Sequence, residues 1–138
     1  MIRGGRNLED GLVVPLARKT AVLVVEDDVG LREMYRHALR FAGYAAAGVG
    51  DGLSALRHII NGSPPDLVVL DLDLPSIGGR DVRREMASRA GTRDIPVVVV
   101  TGTDTRDLSP TDYPCVLHKP IEPDELVSAV DECFKRPH

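Results

Sequence analysis

Four apolar runs in the chain each end on residues that could handle a phosphoryl group or a divalent cation. In chain order, the runs lead to Glu26-Asp27, Asp71, Thr101 and Lys119. If these runs are neighbouring strands of one parallel sheet, their carboxyl ends open on the edge where open α/β sheets bind ligands. That edge would then hold clustered carboxylates, a hydroxyl and an amine.

This combination of groups suits phosphoryl chemistry. A carboxylate attacks phosphorus poorly unless the negative charge of the phosphoryl group is compensated, and a magnesium ion with a positioned ammonium group provides that compensation. Magnesium takes hard oxygen ligands and keeps several waters, so two carboxylates, one backbone carbonyl and water suffice to hold it.

Strand and helix signals alternate from Thr20 onward. The predicted strands lie at residues 21–25, 44–49, 67–70, 95–100 and 116–117. The predicted helices run from an Asp28 cap to Gly43, from Leu53 to Asn61, from about Gly79 to Gly91, and from Pro123 onward. Near-continuous Val and Leu runs are typical of strands buried on both faces, so we expect a parallel sheet covered on both sides.

The segment between the fourth and fifth predicted strands is different. Residues 103–114 contain two prolines and hardly any helical periodicity. We therefore expect a fourth helix that is short or unformed.

The composition of the chain argues against several classes of function. The 138 residues suit one domain, and 17 basic against 21 acidic residues give a net charge of −4 without a basic block. We therefore expect no direct contact with nucleic acid.

No apolar stretch reaches the roughly 18 residues of a membrane span, so we expect a soluble, cytoplasmic protein that contacts no membrane. Cys115 and Cys133 are interpreted as small apolar residues.

The predicted domain organisation is simple. Residues 1–19 show little periodicity and are interpreted as a flexible N-terminal arm. Residues 20–136 form one domain. Because the chain ends soon after the last predicted helix, we expect no output domain.

Taken together, the strand-end motifs resemble the receiver domain of two-component response regulators. The resemblance covers about residues 20–136 and rests on Val24 to Asp28, Pro65 to Pro75, Gly79, Val100-Thr101-Gly102 and His118-Lys119-Pro120. It implies a doubly wound α/β fold of the flavodoxin-like kind, with five parallel strands in the order 2-1-3-4-5.

The resemblance also implies roles for the acidic residues. Asp71 would be the phosphoacceptor. Glu26 and Asp27 would be the acidic pair of a metal site, with Asp27 preferred as the direct ligand, and Asp71 and the backbone carbonyl of Asp73 would complete the site. The implied ion is Mg²⁺, with Mn²⁺ as an alternative.

On the opposite side of the acceptor, the resemblance implies that Lys119 and the Thr101 hydroxyl contact phosphoryl oxygens. Gly102 would leave the site open to a partner. The resemblance also favours a cis peptide bond before Pro120.

The sequence departs from the family pattern at the output side. Val116 occupies the position where many receivers carry a switching aromatic residue, so an aromatic switch is not expected. Thr101 and Lys119 are also closer in sequence than is usual. Asp73 and Thr103 occupy positions that resemble those which tune acyl-phosphate lifetime.

We therefore expect a stand-alone receiver that is not an enzyme acting on other molecules. It would accept a phosphoryl group on Asp71 from a histidine kinase or a histidine phosphotransfer protein and signal through an unidentified downstream protein. One alternative is an interaction module with a receiver fold that is independent of phosphorylation. Another is a phosphatase of the haloacid-dehalogenase type, in which Asp71 would be the nucleophile and the Asp73 side chain an essential acid.

Overall fold

The N-terminal region of the chain is described only in part. The computed structural model describes residues 5–7, 13–15 and 19–135. Strands β1 (Gly5–Asn7) and β2 (Val13–Pro15) form a short antiparallel pair. The predicted flexibility of residues 1–19 falls largely on residues outside the described part of the chain and stays a prediction.

The main body of the chain is a five-stranded parallel sheet with helices on both faces. Its strands are β3 (Ala21–Val25), β4 (Ala45–Val49), β5 (Leu67–Leu70), β6 (Val97–Thr101) and β7 (Val116–His118). They lie in the order β4-β3-β5-β6-β7, which is 2-1-3-4-5 counted within the sheet. The predicted fold class is confirmed.

The register of the sheet aligns the strand ends that carry polar residues. Val25 is paired with Leu70, and Leu70 with Val99. Thr101 is paired with His118, one residue before Lys119. Because all five strands run in the same direction, the residues that follow them emerge at one edge of the sheet.

One face of the sheet is covered by the first and last helices. These helices are α1 (Val29–Phe41) and α4 (Pro123–Lys135). Tyr35 and Leu39 of α1 pack with Leu126 and Val130 of α4 against strand side chains such as Val24. Asp28 caps α1, because its side chain accepts a hydrogen bond of 2.9 Å from the backbone N–H of Leu31. The predicted cap is therefore present.

The other face is covered by α2 (Gly52–Leu56), which continues into one π-helical turn (Arg57–Asn61), and by α3 (Gly79–Ala87). Ala55, Ile59, Val82 and Met86 are buried here beneath the sheet. The alternate residues of β3 supply the two cores, so the prediction of a sheet buried on both faces is confirmed for the central strands. The edge strand β4 differs, because Ala45, Ala47 and Gly48 are exposed.

Residues 102–115, between β6 and β7, contain no helix. The expectation of a short or unformed helix between these two strands is confirmed. Leu108 and Tyr113 of this segment pack against the core in its place.

Two predicted boundaries near α3 were wrong. The helix ends at Ala87 instead of Gly91, and β6 begins at Val97 instead of Ile95. The Thr92 hydroxyl donates to the carbonyl of Met86 at 2.7 Å and the Ser88 hydroxyl to that of Glu85 at 2.8 Å. These hydroxyls satisfy the last helical carbonyls and so end the helix early.

Candidate functional site

The acidic pair lies in the turn between β3 and α1. Glu26 is only 2% exposed, whereas Asp27 is open to solvent. The backbone N–H of Glu26 donates to the carbonyl of Val49 at 3.1 Å, which extends the sheet pairing by one residue. One oxygen of the Glu26 carboxylate accepts a bond of 3.0 Å from the backbone N–H of Asp28. The turn therefore fixes the buried carboxylate and leaves Asp27 accessible.

Asp71 follows the central strand β5 and is 4% exposed. Its Oδ1 accepts hydrogen bonds of 3.0 Å from the Thr101 hydroxyl and from the backbone N–H of Asp73. Its Oδ2 accepts a bond of 2.9 Å from Nζ of Lys119. Both oxygens of this carboxylate are thus held by donors from three different segments.

Gly79 brings the start of α3 against the backbone of Asp71. A Cβ atom at Gly79 would lie 2.3 Å from the carbonyl oxygen of Asp71 and 2.6 Å from Cα of Leu72. No side chain fits at these distances, so glycine permits this approach.

The ends of β6 and β7 supply the polar groups opposite the acidic pair. Thr101 is fully buried, and its hydroxyl also lies 3.0 Å from the hydroxyl of Thr103. The backbone N–H of Lys119 donates to the carbonyl of Thr101 at 3.0 Å, which fixes the lysine beside the threonine. The peptide bond between Lys119 and Pro120 is cis. A Cβ atom at Gly102 would meet nothing within 4 Å, so this position borders open space.

Lys119 bridges two carboxylates. Its Nζ lies 2.6 Å from Oε1 of Glu26 and 2.9 Å from Oδ2 of Asp71. Burial alone would lower the pKa of Lys119, but the hydrogen bonds and charges of these two carboxylates outweigh burial and raise the pKa above its ordinary value. The lysine therefore stays a cation throughout the neutral range.

The pKa of Glu26 is shifted by competing effects. Burial raises the pKa of Glu26 and the charge of Asp71 adds to the rise, whereas the bonds from Lys119 and the Asp28 N–H lower it. The net shift is upward, because a nearly fully buried carboxylate near a second one is costly to ionise. A bound cation would relieve that cost.

The carboxylates fit a hard divalent cation. Glu26, Asp27 and Asp71 each offer one oxygen, and the three oxygens lie within 4.8 Å of one another. Oxygen ligands of this type suit Mg²⁺ and Mn²⁺. The surrounding cavity has a volume of about 420 Å³, and Asp73, Gly102, Thr103 and Lys119 also line it. The structure thus brings together the residues that the sequence placed at the ends of separate strands.

Sequence reasoning did not identify Arg32, whose Nη1 donates to the backbone carbonyl of Glu26 at 2.8 Å. Two signals could have pointed to it. Arg32 lies one helical turn after the Asp28 cap, and glycines at positions 48 and 50 leave room beside it at the end of β4.

The chain is similar to known proteins along most of its length. Residues 22–131 match the family model of the response regulator receiver domain. The chain is 39% identical over 122 residues to the DNA-binding response regulator MtrA of Mycolicibacterium paratuberculosis, with 83% of this chain and 51% of MtrA covered. It is 35% identical over the same length to the response regulator MprA of Mycobacterium sp. strain KMS, with 83% and 50% covered. The chain spans about half the length of these curated relatives.

Solved structures show the same architecture. The response regulator Rcp1 in its Mn²⁺-bound form aligns with a TM-score of 0.69 and 26% identity, covering 82% of this chain and 90% of Rcp1. The chemotaxis response regulator CheY4 of Vibrio cholerae aligns with a TM-score of 0.74 and 22% identity, covering 84% and 99%. The likeness to CheY4 is one of fold.

Proposed function

The chain belongs to the response regulator receiver domain family of two-component systems, and on that premise we propose that Asp71 accepts a phosphoryl group in a metal-dependent reaction. One observation carries the proposal. A single buried carboxylate at the end of the central strand receives an ammonium and a hydroxyl on its two oxygens, beside two further carboxylates. That arrangement provides a nucleophile, charge compensation and a cation site in one cavity.

In the proposed reaction, a carboxylate oxygen of Asp71 forms the new bond to phosphorus, and the bond from phosphorus to the donor breaks. The electron pair of that bond leaves with the donor, which is an imidazole nitrogen of a phosphohistidine or the carboxylate of an acyl phosphate. The product is an acyl phosphate on Asp71. Its phosphoryl oxygens carry negative charge that the surrounding groups must offset.

Lys119 and Thr101 are the groups that would offset it. The Lys119 ammonium, now held by Glu26 and Asp71, would contact one phosphoryl oxygen, and the Thr101 hydroxyl would donate to another. Both donors already touch the acceptor carboxylate, so small movements suffice. Gly102 leaves open space through which a donor protein can approach.

Glu26, Asp27 and Asp71, with the backbone carbonyl of Asp73, would hold Mg²⁺ or Mn²⁺. When bound, the ion supplies positive charge that stabilises the transferring phosphoryl group. The response regulator Rcp1, which aligns at 26% identity, has been solved in a Mn²⁺-bound form, and this supports a divalent cation such as Mn²⁺.

We propose that the donor is a histidine kinase or a histidine phosphotransfer protein and that output passes to a downstream protein. We do not propose that this domain contacts DNA, because the chain carries a net charge of −4 and no basic block. MtrA is a DNA-binding response regulator, but this chain matches only about half of it. Within the described residues, no helix is long and apolar enough to cross a membrane. A cytoplasmic location remains our prediction.

The two alternatives make different demands on the site. A phosphorylation-independent interaction module would not require the carboxylates, the hydroxyl and the amine to converge. A phosphatase of the haloacid-dehalogenase type would need the side chain of Asp73 as an acid, whereas a receiver needs only its backbone. We therefore propose that the protein catalyses only its own phosphorylation and dephosphorylation.

Incubation with acetyl phosphate and Mg²⁺, followed by intact mass spectrometry, tests the proposal. The wild-type protein should gain one phosphoryl group, and both Asp71→Asn and addition of a chelator should abolish the gain. Asp73→Asn is the matched control, because it removes a neighbouring carboxylate and keeps the backbone. Asp73→Asn should still be phosphorylated. An unchanged wild-type mass, or labelling that survives Asp71→Asn, would overturn the proposal.

A further inference from the structure

Arg32 contacts the backbone of the acidic turn, which is the segment from Glu26 to Asp28. Its guanidinium donates to the backbone carbonyl of Glu26 at 2.8 Å, whereas Lys119 contacts the carboxylates themselves. A positive charge is thus held beside the acidic pair without occupying the oxygens that would bind a cation. The backbone of Glu26 is fixed on both sides, because its N–H donates to the carbonyl of Val49.

The end of β4 is shaped to admit this arginine. A Cβ atom at Gly48 would lie 3.0 Å from Cγ and 3.1 Å from Cδ of Arg32, and a Cβ at Gly50 would lie 2.9 Å from its Nη1. The arginine side chain therefore crosses the sheet edge over two positions that lack side chains. A Cβ atom at position 50 would require the guanidinium to shift, and Nη1 is the atom that donates to Glu26.

The acidic turn needs such a tether. Glu26 and Asp27 each place a carboxylate oxygen within 4.8 Å of the other and of Asp71, and like charges at this distance repel one another. Without a fixed backbone, the turn would relieve the repulsion by spreading its carboxylates, and a cation would have to bring them back together. Outer groups that orient metal ligands typically account for about 10–100-fold in metal affinity.

We propose that Arg32 is a positioning residue for the cation site, holding the turn from Glu26 to Asp28 in the conformation that binds Mg²⁺. This inference rests on the cation site of the proposed function. It assigns to Arg32 a role in Mg²⁺ affinity that works through the Glu26 carbonyl, and it assigns to Gly48 and Gly50 the role of making space for that contact.

The direction in which removal of Arg32 changes Mg²⁺ affinity distinguishes a positioning role from a purely electrostatic one. If Arg32 acted only as a nearby positive charge, its removal would strengthen the binding of Mg²⁺, because one repelling cation would be gone. If Arg32 positions the turn, its removal weakens the binding. The two roles therefore predict opposite changes in the dissociation constant for Mg²⁺.

The test measures the dissociation constant for Mg²⁺ by calorimetry, and the melting temperature without metal, for the wild type and three variants. Arg32→Ala removes the tether and leaves a residue that favours helices. Gly50→Ala keeps the charge of Arg32 but displaces its guanidinium. Arg36→Ala is the control, because Arg36 lies one turn further along α1 and binds Glu33 instead of the acidic turn.

We expect Arg32→Ala to raise the dissociation constant about tenfold, and Gly50→Ala to raise it in the same direction. Arg36→Ala should change it less than about twofold, since its charge is neutralised locally. Unchanged or tighter binding by Arg32→Ala, even with a lower melting temperature, would overturn this inference alone. A wild-type protein that does not bind Mg²⁺ would overturn the proposed function and this inference with it.

Discussion

Two connections flank the site and are built in different ways. The connection from β3 to β4 passes through α1, which is capped by Asp28 and tied to the acidic turn by Arg32. The connection from β6 to β7, residues 102–115, has no helix. Its side-chain contacts include the exposed pair between Arg106 and Asp104 and the pair between Arg80 and Asp107.

The difference extends to the contacts made after α1 in the first connection and just after Thr101 in the second. After α1, the ring of Tyr44 stacks on Phe134 with centroids 5.8 Å apart, and its hydroxyl donates to Asp131. The residues that follow Thr101 instead make mostly local bonds, such as those of Thr101 with Thr103. We expect the cation side of the site to change little, and the loop after Thr101 to respond, if the acceptor is modified.

The largest expected effect concerns amide exchange. A phosphoryl mimic such as beryllofluoride, bound at Asp71, should take over the hydrogen bond that the Thr101 hydroxyl now donates to Asp71 and change exchange in residues 102–115 by about tenfold or more, equivalent to about 1.4 kcal/mol. The amides of α1 should change much less. Hydrogen–deuterium exchange with and without the mimic measures both regions. In Asp71→Asn, the mimic should change exchange neither in residues 102–115 nor in α1. Changes confined to α1 and α4 would mean that the output route lies elsewhere.

A smaller effect is expected on the cation side. Like charges within 4.8 Å repel by about 1 kcal/mol in water and more where water is excluded, and Asp27 is the exposed member of the cluster. Asp27→Asn should therefore raise the free energy of unfolding in chelator by about 1 kcal/mol and remove the stabilisation by millimolar Mg²⁺. Thermal unfolding with both metal conditions measures it. A lower stability in chelator with an intact Mg²⁺ response would contradict a shared site.

The smallest effects compare the outer contacts of the two connections. Tyr44→Phe removes a partly buried hydrogen bond and should cost about 1 kcal/mol of unfolding free energy. Arg80→Gln removes an exposed pair and should cost less than about 0.5 kcal/mol. Denaturant unfolding of both variants measures the contrast. Equal costs would show that the two connections are anchored alike.

The hydrogen bond between Tyr44 and Asp131 also has a pH signature. Burial and this bond raise the pKa of Tyr44 to about 12, above the value of about 10 in an unfolded chain. The folded state holds the Tyr44 proton more tightly than the unfolded state does. The stabilisation that comes from this difference is therefore full below about pH 10 and is lost as the pH rises toward 12. Tyr44→Phe should lack that loss, which denaturant unfolding across this pH range would reveal. An identical pH dependence in both proteins would count against the shift.

The strand ends were predictable because hydrophobic runs and the residues that close them are local features of the chain. Four consecutive Val and Leu residues, Leu67–Leu70, precede Asp71, and a run of valines from Val97 precedes Thr101. Parallel pairing then brings the ends of these strands together by topology alone. The absence of a helix between β6 and β7 was also predictable, since residues 103–114 lack a helical period.

Arg32 and the early end of α3 were not predictable in the same way. The contact of Arg32 joins a helix to the carbonyl of a preceding turn and depends on two glycines at the end of another strand. The end of α3 depends on the hydroxyl of Thr92 reaching back to Met86. Such contacts form only once the elements have packed, and local propensity does not encode them.

The identity of the nucleophile is the central claim, and chemical trapping tests it most directly. The protein would be phosphorylated with acetyl phosphate and Mg²⁺, reduced with borohydride to convert the acyl phosphate to an alcohol, digested, and mapped by peptide mass spectrometry. We predict that the modification lies on Asp71 alone. A modification on Asp73 or Asp27, or acetyl phosphate consumed with Asp71 unmodified, would contradict this assignment.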